Sequence, residues 1–244
     1  MKPNRIYLTT CLIPLFTGGQ LLASENLPNR DLIASSSSDP SLDVSLTLGF
    51  ETLHVYRGAD ASSGNGIMWE TLDIDLYNTF HFNLYGGNSF NDEYKELTPS
   101  AYIYHDFGDL TASAGMIWYH LPGSDGADSE EYYFSLAHPL GNGFSVSTWF
   151  SYNPRFNGYY NELKVSHTYD FSDNLSLVSY AGLGYSDGLR SGGSGLDNLT
   201  VAVGLPIALS EQISIKPLAG YAFALDALES DDEAWLGLNL SYTF

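Results

Sequence analysis

Leu236-Gly237-Leu238-Asn239-Leu240-Ser241-Tyr242-Thr243-Phe244 decides the fold. Every second residue is large and apolar, and the residues between are small or polar. A period of 2 marks an extended strand with one apolar face and one polar face. The same pattern runs back almost to Leu42. Val44, Leu46, Leu48 and Phe50 alternate with Ser45, Thr47, Gly49 and Glu51, and Leu199, Val201 and Val203 alternate with Thr200, Ala202 and Gly204. Twelve such segments can be marked, at 42–55, 67–77, 79–88, 96–106, 110–121, 131–139, 143–153, 159–170, 175–186, 198–209, 212–225 and 233–244. In the fourth, Tyr102 and Tyr104 interrupt the polar face.

The connections alternate between two kinds. Tight ones fall at Asn78, Gly108-Asp109, Gly141-Asn142, Ser172-Asp173-Asn174 and Ser210-Glu211. Longer ones, rich in Asp, Gly and Ser, fall at 57–66, 89–95, 122–130, 153–158, 187–197 and 226–232. The repeating unit is therefore a hairpin with short turns at one end and acidic loops at the other. The segments are also longer than soluble strands, which usually run about 5 to 6 residues; membrane strands need about 9 to 11. The polar face carries Gly, Ser, Thr and Ala, with few of the long charged side chains of a solvated exterior. The pattern predicts an all-β protein, a transmembrane antiparallel up-and-down β-barrel of about 12 strands, with 10 to 14 allowed. Aromatic residues near segment ends, such as Trp118-Tyr119 and Tyr159-Tyr160, read as interfacial girdles.

The composition agrees. Of 244 residues only 16% are charged, yet 29 Asp and Glu against 9 Lys and Arg give a formal net charge of −20. A basic face for nucleic acid is absent, and 14% aromatic content argues against disorder. No helical membrane span is expected, since no stretch after the first residues holds 18 consecutive apolar side chains.

The N-terminus has the layout of a secretory signal peptide over residues 1–23. Lys2 and Arg5 precede an apolar run from Ile6 to Phe16, and small residues follow, up to Ala23. Cleavage there would remove Cys11, the only cysteine, and exclude disulfides and a thiol nucleophile. Residues 24–40, with Ser35 to Ser38, read as a flexible lead-in, and 41–244 as the barrel.

Two resemblances add to this reading. The final strand, ending on Tyr242 and Phe244, resembles the C-terminal signature of bacterial outer-membrane barrels. That implies recognition of these two residues by the barrel assembly machinery. Val55-Tyr56-Arg57-Gly58-Ala59, Tyr119-His120-Leu121-Pro122-Gly123 and Phe150-Ser151-Tyr152-Asn153-Pro154 resemble the Gcw_chp family of uncharacterised outer-membrane proteins, over much of residues 44 to 190. The resemblance implies a location in the outer membrane, among lipids and lipopolysaccharide, rather than an activity.

Chemistry is sparse. The six histidines, 54, 81, 105, 120, 138 and 167, lie on different strands without metal-ligand spacing, so neither a metal nor a cofactor is expected. The acidic stretch Asp125 to Glu131 reads as a solvated loop rather than a calcium site. His167 faces outward beside Val165, where a lipid-acting enzyme would place a histidine, but no Gly-x-Ser-x-Gly accompanies it. The reading is non-enzymatic.

By alternation Glu51, Asp73, Asp75, Glu162, Lys164, Lys216 and Asn239 point into the lumen, with Tyr77, Tyr85, Trp149 and Trp235. The acids outnumber the bases. This supports a narrow channel for passive diffusion of small solutes or ions, with mild cation preference. The alternative is a non-conducting structural or surface-interaction barrel, closed by pairs of Glu51 or Glu162 with Lys164 or Lys216. The loops look too short to fold into a constriction, and Arg57, Lys95, Arg155 and Arg190 lie at loop edges, where they could bridge anionic lipid headgroups or oppose loop acids.

Overall fold

The computed structural model describes residues 42–122 and 128–244. The expected signal peptide and lead-in, and Asp125 within its acidic stretch, lie outside the described residues. The strands are β1 (Leu42–Glu51), β2 (Val55–Tyr56), β3 (Ala59–Asp60), β4 (Ile67–Leu76), β5 (Phe80–Ser89), β6 (Lys95–Phe107), β7 (Leu110–Tyr119), β8 (Ser129–Gly141), β9 (Phe144–Asn153), β10 (Gly158–Ser172), β11 (Leu175–Arg190), β12 (Gly193–Gly204), β13 (Ile207–Ala208), β14 (Ile213–Ala224) and β15 (Glu233–Thr243).

Each long strand pairs antiparallel with its neighbours in the chain, and β1 closes the circle by pairing with β15. β13 continues the line of β12. Gly204 faces Leu218 and Ile207 faces Ile215 in one unbroken register along β14. The gap falls at Leu205-Pro206, where proline has no N–H to give to a ladder. The wall thus has twelve lines of strand, as the periodicity predicts. Drawn perpendicular to the strands, a path once around the barrel returns to β1 displaced by about 16 residues, which corresponds to a tilt of about 45°.

The outer wall is apolar and exposed: Phe82, Leu84, Ile103, Phe134, Phe150, Leu163, Leu238 and Leu240 all point away from the barrel. A continuous band of this kind is stable against hydrocarbon, not water. Alternation also divides the expected girdles. Trp118 is 53% exposed and Tyr119 5%; Tyr159 is 49% exposed and Tyr160 2%. One ring of each pair faces outward and the other fills the interior.

Three boundaries differ from the sequence expectation. β1 ends at Glu51 rather than near residue 55, because Thr52 turns away to bond Leu236 through both its amide and its hydroxyl. β11 and β12 continue to Arg190 and Gly193, through most of the expected 187–197 loop. Tyr77 does not face the lumen. It is exposed in the turn after β4, where Tyr77 and Asn78 both have positive φ, the geometry of a two-residue hairpin turn.

On this fold, Val165→Arg at the centre of β10's outward face should lower the unfolding free energy in lipid bilayers by about 2–4 kcal/mol. Ser147→Ala on the inward face of β9 should change it by less than about 1 kcal/mol. Denaturant titration of the two variants checks the facing.

Candidate functional site: the barrel interior and the loop across it

The interior has two halves. Near the short turns it carries half-buried hydroxyls and carboxylates, Ser45, Thr47, Asp73, Asp75, Thr111, Ser145, Ser147 and Ser166, beside buried His81, Ser113, Ser214 and Ser241. Toward the long loops the inward residues are buried. Tyr102, Tyr104, Ile117, Tyr119, Tyr133, Trp149 and Tyr160 form one cluster along β6 to β10. It begins on the turn side, where the Tyr104 amide bonds the Thr79 carbonyl and Tyr102 stacks on His81, and runs to the loop side, with Trp149 stacked on Tyr133 at 3.8 Å between ring centroids. Val55, Tyr180, Ala202, Leu218, Ala222 and Trp235 form a second on the other side. Tyr102 and Tyr104, which interrupt a polar pattern in the sequence, are therefore part of the interior filling.

Of the predicted lumen residues, Glu51, Glu162, Lys164, Lys216 and Asn239 are buried and Asp73 and Asp75 half-buried, and they form no single ring. Asp73 and Asp75 flank His81 near the short turns, at 3.2 and 3.1 Å, and Asn83 donates to Asp73 at 2.8 Å. Lys164 lies midway, 5.7 Å from the Tyr180 ring. Glu162 accepts from the Tyr160 hydroxyl at 3.4 Å. Lys216 and Asn239 are buried cross-strand neighbours on β14 and β15. Glu51 is buried at the loop end of β1, opposite Gly237. Glu162 and Lys164 form no ion pair with each other among the described residues, contrary to that part of the closed-barrel expectation.

The loop between β1 and β4, residues 52–66 (loop 1), is long enough to act as a constriction, contrary to the sequence expectation. It folds into the barrel. The Asp60 carboxylate gathers the Ser62 amide and hydroxyl and the Gly64 amide, and His54 N–H donates to Ser62 Oγ at 2.9 Å. These bonds brace the β2–β3 hairpin, whose Val55 and Arg57 are buried in the barrel. At its tip Arg57 and Gly58 both have positive φ, and a Cβ on Gly58 would sit 2.5 Å from the Asn198 Cβ. Glycine meets both demands.

The tip reaches the opposite wall, half the circle from β1. Arg57 donates to Glu131 on β8 at 2.5 Å and lies 4.1 Å above the Tyr160 ring on β10. The Tyr56 and Tyr119 hydroxyls are 3.1 Å apart. Burial disfavours the Arg57 charge, but Glu131 beside it more than compensates and holds the guanidinium well above its ordinary value. Behind the tip, Arg190 pairs with Asp197 at 3.0 Å and donates to the Arg57 carbonyl at 2.9 Å. On the near wall His54 is enclosed by the Tyr85 and Tyr94 rings, its Nε2 3.8 Å from Glu96, too far for a hydrogen bond. Burial lowers the His54 pKa to about 4, against the opposing pull of Asp60.

Arg57 and Arg190 thus leave the loop edges expected of them, and Glu131 and Asp197 leave the acidic loops. Alternation back from Ser135 and Tyr133 does put Glu131 on the inward face; no local pattern marks Arg57. His167 on the outer wall packs against the Phe144 ring at 4.2 Å and bonds no serine among the described residues. No group of three or more metal-ligating side chains occurs among the described residues. Tyr242 and Phe244 face outward, their rings 4.9 Å apart, and the Phe244 amide bonds the Val44 carbonyl.

The chain superposes on the KdgM porin with a TM-score of 0.60 at 12% identity, covering 82% of this chain and 99% of that one. The fold is that of the porin-type outer-membrane barrels. The NanC porin gives 0.58 at 10% identity over 82% and 98% of the two chains. The COG4313 outer membrane channel from Pseudomonas putida F1 gives 0.53 at 12% identity over 86% and 98%. No family model and no curated protein matches the sequence. At these identities the likeness establishes the architecture alone.

Two outcomes check the loop. Glu131→Ala leaves the Arg57 charge buried without its partner and should destabilise the docked loop by about 3–5 kcal/mol, read as faster hydrogen exchange in residues 52–66. The His54 imidazole should stay neutral until about pH 4, so that docking weakens as pH falls from 6.5 toward that value, the undocked ring taking its proton first. A His54 NMR titration centred near 6.5 would contradict the burial.

Proposed function

We propose that this chain is an outer-membrane channel for passive diffusion of small hydrophilic solutes or ions, narrowed at its outer mouth by loop 1. The observation that carries the proposal is the gradient inside the barrel. A filled structural barrel gains from apolar packing along its whole length, yet this one keeps half-buried Ser, Thr and Asp side chains on the turn-side inward faces of β1, β4, β7, β9 and β10. Most of the apolar filling lies toward loop 1, and only Tyr102, Tyr104 and Val178 carry it to the turn side.

A mild cation preference is part of the proposal. The two loop arginines that enter the lumen are each matched by an acid, Glu131 and Asp197. Asp73 and Asp75 share one histidine, and the outer rim carries Asp92, Asp128, Asp231 and Asp232. The potential therefore stays negative, which favours cations and neutral solutes over polyanions. The KdgM porin has also been solved with disordered oligogalacturonate; a solute of that charge does not suit the lining found here.

The rest of the reading belongs with it. Tyr242 and Phe244 present a terminal aromatic pair to the barrel assembly machinery, the apolar band meets lipids and lipopolysaccharide, and residues 1–23 direct export. Membership of the Gcw_chp family is supported by Val55-Tyr56-Arg57-Gly58-Ala59, the stretch that forms the tip of loop 1. Catalysis has no part in the proposal.

Purified protein in planar bilayers should give discrete conductance steps, with a reversal potential in a salt gradient that favours cations. Asp73→Asn with Asp75→Asn should move that potential toward the non-selective value. A sealed bilayer containing folded protein would overturn the channel, and an unmoved potential would remove these carboxylates from selectivity.

A further inference from the structure

We infer that Arg190 and Asp197 are positioning residues for loop 1, the β11–β12 hairpin acting as a strut that holds the loop's tip across the lumen. The inference rests on loop 1 being the constriction of the proposed channel.

β11, at 16 residues, is the longest strand of the wall, and with β12 it continues up to the turn at 191–192. Register shifts between Leu183 and Tyr185 and between Ser186 and Arg190 bend this extension. Bulges redirect side chains in this way. The bend brings Arg190 onto Asp197, a carboxylate with 0% exposure, through Nε at 3.0 Å. The other arm of the same guanidinium, Nη2, donates to the backbone carbonyl of Arg57 at 2.9 Å.

Arg190 therefore grips the loop by its backbone and leaves the Arg57 side chain free for Glu131. One guanidinium fork serves a buried carboxylate and a turn carbonyl at once. An ammonium is a point charge on a flexible stem and cannot reproduce that fixed fork geometry. The contact sits at the tip, where Gly58 already abuts Asn198 of β12 and Leu228. The tip is thus fixed on two sides by separate ion pairs, Arg57 with Glu131 on β8 and Arg190 with Asp197 behind it. Neither arginine replaces the other: the first ties the side chain to the far wall, and the second sets where the turn lies.

The test is thiol access beneath the tip. Ser151 is buried under the Arg57 guanidinium at 3.5 Å, and Cys11, in the expected signal peptide, is the only cysteine of the chain. Ser151→Cys in the full-length protein, folded in vesicles, is treated from the loop side with a charged maleimide. With Arg190 in place labelling should be slow. Arg190→Gln and Arg190→Lys should speed it roughly ten- to hundredfold, the equivalent of losing one charge-assisted hydrogen bond, and Asp197→Asn should act in the same direction. Retained heat-modifiable mobility on gels shows that the barrel is intact, and Arg190→Lys serves if Arg190→Gln fails to fold. Rates unchanged in both Arg190 variants would overturn the strut. Fast labelling in the parent would instead overturn loop 1 as a constriction. Labelling does not require current, so a protein that passes this test and seals a bilayer fails only as a channel.

Discussion

Backbone amides and carbonyls have no water to bond to inside hydrocarbon, and everything else in this molecule is arranged around that constraint. The pairing of β1 with β15 meets it by removing both sheet edges. Closure at twelve lines of strand and a tilt of about 45° then fixes the interior as a narrow tube. Its inward positions must be filled by side chains or by water. Aromatics fill most of the loop side, and the turn side carries more hydroxyls and carboxylates.

Loop 1 follows from the same geometry. A tube this narrow can be crossed by a short hairpin, and the far wall offers Glu131, Tyr119 and Tyr160 to receive it. A buried ion pair is poor evidence of stability for its own sake, because desolvation offsets much of the attraction. It is better suited to setting position. Displaced by one residue, Arg57 would leave Glu131 buried without its partner, and so the pair specifies one docked arrangement of the loop.

The strands were legible because a lipid-facing wall imposes a period of 2 that no loop imitates over ten residues. The inward set Glu51, Asp73, Asp75, Glu162, Lys164, Lys216 and Asn239 follows directly from it. What the sequence hid were contacts between distant positions. Arg57 sits in a stretch with no period, and its partner lies 74 residues away. Gly, Ser and Asp between 187 and 197 read as a loop, yet β11 and β12 pair across that region because a hairpin standing above the rim needs no apolar face. Tyr102 and Tyr104 break a polar pattern only on the assumption that every inward face meets water.

The central claim is that loop 1, and not the barrel wall, limits passage. Replacing residues 53–65 by a short Gly-Ser turn while keeping β1 and β4 intact separates the two. Single-channel conductance of this variant should rise severalfold above that of the parent, with the proposed cation preference unchanged. Equal conductance would place the limit in the aromatic filling of the wall and contradict the account.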